Sequence, residues 1–169
     1  MQIPQTLVIL SGLPGSGKTT MSKMLVDALQ IPILAIDDVV DAIPQHMHQS
    51  STHFWQDMVY ILLKLVDGQL SWGHSVLVDS VFMGTDDNHS LHQWSDRHRA
   101  FQIARKQQVR FRPIYLFISD ENLWRQRLAQ RAQAFPDEPV ATWSQVDYQR
   151  KFFQPWQTGQ AGAGRVQES

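Results

Sequence analysis

The octet Gly12-Leu13-Pro14-Gly15-Ser16-Gly17-Lys18-Thr19 fits the pattern G-x-x-x-x-G-K-[ST], whose spacing suits the capture of a polyphosphate. A loop that folds its backbone N–H groups around an anion needs residues without steric penalty. Gly12, Gly15 and Gly17 supply them. A helix starting at Gly17 points its positive end at the same anion. The pattern puts Lys18 within reach of the β- and γ-phosphates of ATP and lets the Thr19 hydroxyl ligate Mg²⁺. Leu13, Pro14, Ser16 and Thr20 complete the expected nucleotide-binding segment. Four fixed positions of this kind arise by chance in under about 1% of chains this long, so the motif reads as functional.

Further charged residues fall where phosphoryl chemistry needs them. Asp37 and Asp38 follow the apolar run Ile33 to Ile36, and a carboxylate there can accept the proton of an attacking hydroxyl. Capping the turn Val39 to Ile43 is the bland alternative; Asp37, nearer the strand end, is preferred as the base. Asp79 closes Val76-Leu77-Val78 as a Walker-B magnesium ligand would, directly or through water. Arg127 and Arg131, four apart, share one helix face and can neutralise phosphoryl charge, whereas Arg125 points elsewhere. A GTPase needs N-K-x-D and D-x-x-G segments, and neither occurs. A AAA-type motor needs a larger body with a helical lid domain.

These residues require a scaffold of strands alternating with helices. Leu7 to Leu10, Ile33 to Ile36, Val76 to Val78 and Ile114 to Ile118 read as buried strands. From Gly17 to about Gln30 the residues Met21, Met24, Leu25, Ala28 and Leu29 recur at helical spacing. Helices are also expected from Thr52 to about Trp72, from Ser90 to about Gln107 with Leu91, Trp94, Phe101 and Ala104 inward, from a cap at Ser119, and near Ser144 to Phe153. Strands apolar throughout, alternating with helices, imply an α/β fold with a parallel sheet covered on both faces, a three-layer α/β/α sandwich.

Composition sets the outer bounds. The chain has 169 residues, 43% of them hydrophobic, enough for one globular domain with a sizeable core. Residues 1–157 are expected to form that domain, and the Gly-rich stretch in 158–169 a flexible tail. A net charge of −1 argues against a protein devoted to a nucleic-acid backbone. With no cysteine there is neither a disulfide framework nor a thiolate zinc site. The start lacks the basic region of a secretory signal and no apolar run approaches a membrane span, so a cytoplasmic protein is expected.

At these residues the chain resembles the P-loop small-molecule kinases, a group that includes zeta-toxin-like, polynucleotide 5′-kinase-like and chloramphenicol phosphotransferase-like proteins. Their pattern is a Walker A loop, an Asp after each of the second and third strands, and a helix reading R-L-x-x-R. Here those are Gly12 to Thr19, Asp37, Asp79 and Arg127-Leu128-Ala129-Gln130-Arg131. Asp37 to Pro44 and Val76 to Gly84, with Trp94 following, look most like the chloramphenicol phosphotransferase-like branch. The resemblance implies ATP and Mg²⁺ as cofactors, Asp37 as base and a small hydroxylated acceptor. A polynucleotide 5′-kinase and a non-catalytic ATP-binding module are the alternatives. It also implies the sheet order 2-3-1-4-5. After Tyr148, however, Gln149 to Trp156 stand where the family's fifth strand is expected, so 2-3-1-4 is the firm part.

Other residues are read more plainly. His46, His48 and His53 lack metal-ligand spacing and suit a substrate-side loop; Asp86-Asp87-Asn88-His89 reads as a turn. Arg105, Lys106, Arg110 and Arg112 read as a solvated basic face. Trp55, Trp94 and Trp124 are assigned to the core, while Trp143 and Trp156 stay open as base-pocket residues.

Overall fold

The computed structural model describes residues 4–44, 47, 54–82, 96–136 and 141–153. Strand β1 (Thr6–Ser11) runs between β3 (Val76–Asp79) and β4 (Arg110–Tyr115), and β2 (Ile33–Ala35) pairs with the far side of β3. All three pairings are parallel and the order is β2-β3-β1-β4, as the resemblance implies. Successive side chains of β1 leave opposite faces of the sheet. Leu7 and Ile9 join one apolar cluster and Val8 and Leu10 another, so both faces must be covered.

Helix α1 (Lys18–Leu29) covers the Val8/Leu10 face. Its inward side chains are Met21, Leu25 and Val26, with Ser22 the one buried residue of the helix. This corrects the expected face: Ala28 is exposed, and Met24 and Leu29 are 61% and 43% exposed. The other face is covered by α3 (Phe54–Ser71), reached through the short α2 (Ile36–Asp41), and by α4 (Asp96–Lys106). Val59, Leu62, Leu63 and Val66 of α3 are buried as their spacing predicts, each contributing about 1.5–3 kcal/mol by leaving water. Trp55 departs from that pattern and is 50% exposed.

Two boundaries shift for local reasons. β4 begins at Arg110 rather than Ile114, and Arg110 and Arg112 are its exposed positions, alternating with buried Phe111 and Pro113. Alternation with charge reads as loop in an apolar-run search, yet it is normal on an edge strand, where a proline without an N–H is also tolerated. The helix α5 (Glu121–Ala134) is capped by Asp120, not Ser119; its carboxylate accepts from the backbone N–H groups of Asn122 and Leu123 at 2.8 and 3.1 Å. The last helix, α6 (Trp143–Phe152), opens with a reciprocal capping box between Thr142 and Gln145. A third apolar cluster joins α5 and α6 to Leu13, so both helices pack against the loop after β1.

Among the described residues the sheet ends at β4. Residues 154–169, which hold Trp156, the tail and the ground for a fifth strand, lie outside them, as do Ser90, Leu91, Trp94, His46, His48, His53 and Asp86 to His89. Among the described residues no helix is long and apolar enough to cross a membrane.

Candidate active site

The loop between β1 and α1 is shaped by what its glycines lack. A Cβ on Gly12 would lie 2.6 Å from both the Leu116 carbonyl oxygen and the Ser16 hydroxyl. Gly15 and Gly17 adopt φ of 81° and 95°, the left-handed region that other residues rarely enter. The loop is propped from beneath: Trp124 Nε1 of α5 donates to the Pro14 carbonyl at 2.8 Å, and Leu13 is buried against Trp124, Leu128 and Val146. Trp124 therefore has the packing role its position predicts. Among the described residues Ser16 Oγ is buried without a hydrogen-bond partner, a polar atom left over in the glycine-rich loop. Gly12→Ala is expected to destabilise the fold by about 1–3 kcal/mol through overpacking and to weaken nucleotide binding, as denaturant midpoints and equilibrium titration with ATP will measure.

A cavity of about 680 Å³ opens over this loop. Its lining includes Gly15 to Thr20, Asp37, Asp79, Arg127 and Arg131, so four elements deliver the five predicted charged residues to one space. Asp37 and Asp38 both lie in the first turn of α2, and Asp37 is the one that lines the cavity. Neither side chain caps the helix. Arg125 is directed away, bonded to Glu121 at 2.7 Å with its guanidinium 4.2 Å from the Trp143 ring centroid. Trp143 in turn packs edge-on against Trp124 at 5.8 Å and is not among the cavity-lining residues.

Lys18 is the electrostatic centre. Its ammonium donates to the Leu13 carbonyl at 3.4 Å. Burial holds its pKa below the ordinary lysine value; Asp79 and then Asp37 oppose that shift, and Arg131 adds to it. Burial pushes the Asp79 carboxyl upward, against a hydrogen bond from Ser22 and the charge of Lys18. The Ser22 hydroxyl donates to Asp79 Oδ2 at 2.6 Å. This serine was missed by sequence reasoning; it follows Thr19 and Thr20 on α1, and its place one turn beyond Lys18 was the only signal it gave.

The segment after β3 is tied down by consecutive carbonyls. Ser11 Oγ donates to Val81 O at 2.9 Å, and Arg97 Nε donates to Phe82 O at 2.7 Å. Phe82 is fully buried at φ 48°, an uncommon conformation for a bulky residue that these anchors hold in place. Arg97 itself is buried with its guanidinium 4.9 Å from the Phe153 ring, and burial lowers its pKa to about 10. Both anchors lie within three residues of Asp79, on its C-terminal side.

Comparison with known proteins agrees with this architecture. Residues 7–156 match the sequence model of the AAA domain. No curated protein sequence matches the chain. Among solved structures it resembles a gluconokinase from Sinorhizobium meliloti 1021 (15% identity, 98% of this chain and 83% of that one, TM-score 0.63). It also resembles a sugar kinase from Janibacter sp. HTCC2649 (13% identity, 97% and 85%, TM-score 0.64). A shikimate kinase from Aquifex aeolicus matches with 17% identity over 95% and 84%, at TM-score 0.52. At these identities the likeness is one of fold, and the fold is that of the P-loop kinases.

Proposed function

The chain belongs to the AAA domain family, and from that premise we propose that it is an ATP- and Mg²⁺-dependent phosphotransferase acting on a hydroxyl of a small molecule. The observation that carries the proposal is the convergence of Lys18, Asp37, Asp79, Arg127 and Arg131 in the cavity above the phosphate-binding loop. Gluconokinase, sugar kinase and shikimate kinase are each named for a small-molecule acceptor, which favours the same class here. The stretches Asp37 to Pro44 and Val76 to Gly84 favour the chloramphenicol phosphotransferase-like branch within it. Residues 1–157 then make up the catalytic domain, working where ATP is abundant, in the cytoplasm.

In this reading the loop amides and Lys18 bind the β- and γ-phosphates. The acceptor oxygen attacks the γ-phosphorus, the bond to the β–γ bridging oxygen breaks, and ADP leaves with that electron pair. Asp37 takes the acceptor's proton, and Arg127 and Arg131 stabilise charge on the transferring group. Thr19 and Asp79 are the residues that would hold Mg²⁺; a partly buried carboxylate disfavoured as an anion and bonded to Ser22 suits a cation ligand. Bound there, the ion would neutralise phosphate charge.

The test is incubation with Mg²⁺ and γ-labelled ATP against a panel of hydroxylated metabolites, antibiotics, nucleosides and oligonucleotides. Protein-dependent label on a small acceptor is expected. Label on an oligonucleotide end would point to a polynucleotide kinase, and ATP binding without any transfer to a non-catalytic module.

Asp79→Asn separates stability from activity. The folded pKa of Asp79 lies above its unfolded value, so its ionised form costs the folded state at neutral pH, and that cost disappears as pH falls through the folded pKa. The variant without ligand is expected to be more stable than the wild type at pH 7, by an advantage that shrinks on acidification, while transfer falls about 10²-fold or more. Denaturant melts at several pH values, alongside turnover, check both halves.

A further inference from the structure

Two opposite charges share the cavity without meeting. Lys18 and Asp79 both line it, yet among the described residues no ion pair joins them. Asp37, the other carboxylate on that space, stops short of Lys18 as well. Each member of the Lys18–Asp79 couple is held instead by a neutral partner. The ammonium donates to the Leu13 carbonyl at 3.4 Å, and Asp79 Oδ2 accepts from the Ser22 hydroxyl at 2.6 Å. Ser22 lies four residues beyond Lys18 on the same face of α1 and is the one buried residue of that helix. A serine inside a helix ordinarily bonds the carbonyl one turn back or points to water. Here the hydroxyl reaches across to the end of β3. Asp79 Oδ1 is left without a hydrogen-bond partner among the described residues, on a side chain that lines the cavity.

Resting on the nucleotide-binding half of the kinase reading above, we propose that Ser22 is a positioning residue that keeps Asp79 off Lys18. The lysine thereby stays available to phosphate, and Asp79 Oδ1 to Mg²⁺. Without the hydroxyl, Asp79 Oδ2 loses its partner, and the ammonium one turn away on the same helix face offers a replacement. Attraction between opposite charges is strong where burial partly excludes water. Such a pair would have to open before phosphate could take the lysine or the ion could take the carboxylate, and that opening would subtract from affinity. In the site as folded, the two charges are already apart before nucleotide arrives.

The experiment is a double-mutant cycle on the full-length protein: wild type, Ser22→Ala, Asp79→Asn and the double variant, with denaturant melts to confirm folding. Ser22→Cys, similar in size but a poor donor, repeats the test should alanine fail to fold. Calorimetry measures binding of the non-hydrolysable β,γ-imido analogue of ATP, once with Mg²⁺ and once with a chelator in its place. Ser22→Ala should weaken binding about 10-fold in both conditions. In the Asp79→Asn background, with no carboxylate to collapse onto the lysine, the same change should alter affinity by less than about twofold. A loss seen only with Mg²⁺ would tie Ser22 to the metal alone and overturn the proposal. Unchanged affinity in Ser22→Ala overturns it too, as do equal losses in the two backgrounds, which would mark a purely structural effect. A wild type that does not bind the analogue would sink the kinase reading and this proposal together. The expected cycle without phosphoryl transfer to any acceptor would remove the kinase reading and leave the role of Ser22 standing.

Discussion

Lys18→Met is expected to lower kcat/KM for phosphoryl transfer by about 10²–10³-fold or more, because in the proposed reaction Lys18 is the loop's cation on the transferring phosphate. A protein that has merely unfolded would give the same loss, and the electrostatics of the site separate the two. Burial lowers the folded pKa of Lys18 below its unfolded value. Charging the side chain therefore costs the folded state throughout neutral pH, and that cost is removed only as pH rises above the unfolded value. Methionine, of similar length and without charge, should leave the protein without ligand at least as stable as the wild type. Loss of activity with an undiminished denaturation midpoint is thus the expected pair of results. The wild type should show a related signature: the alkaline limb of its kcat/KM profile for ATP should fall below the ordinary lysine pKa of 10.5, if ATP binds, as proposed, to the charged form of Lys18. An unchanged rate in Lys18→Met would remove the ground for reading the loop as catalytic.

The parts of the site that could be read from the sequence are those whose chemistry fixes a local spacing. The loop glycines, Lys18 and Thr19 are contiguous, and strand ends carrying Asp are visible because an apolar run stops at a charge. The sheet order followed from the resemblance rather than from any local signal. What escaped depends on how helices are rotated and docked. In α1, a serine on the buried face serves Asp79, and counting apolar residues turned the expected face toward Met24 and Ala28. A functional polar group on a covered face misleads a hydrophobic count for that reason. Trp55 shows the converse. At the start of α3 it could belong to the core or to the cavity, and only the docking of α3 against α2 decides it. Ser11 and Arg97 act through the carbonyls of Val81 and Phe82, some seventy and fifteen residues away, and no sequence spacing encodes those bonds.

Asp37→Asn carries the sharpest mechanistic consequence. Asparagine keeps the shape of the side chain and its place in the first turn of α2, but it cannot accept the acceptor's proton. General-base assistance contributes about 10²–10⁴-fold, so kcat should fall by that factor. ATP affinity should stay within about twofold, because the proposed nucleotide contacts of the loop and Lys18 do not involve that proton. The neighbouring carboxylate provides the internal control. Asp38 shares the same helical turn and the same favourable dipole position, yet it does not line the cavity. Asp38→Asn should therefore cost little in rate, and whatever it costs measures the general electrostatic influence of an acid at that helix end. Subtracting the two isolates the proton-transfer role of Asp37. Equal losses in the two variants would mean that negative charge near α2, rather than a positioned base, is what the reaction uses. A full rate in Asp37→Asn would mean that the acceptor reaches the γ-phosphate without losing its proton to this side chain, and the role of base would have to pass to another group.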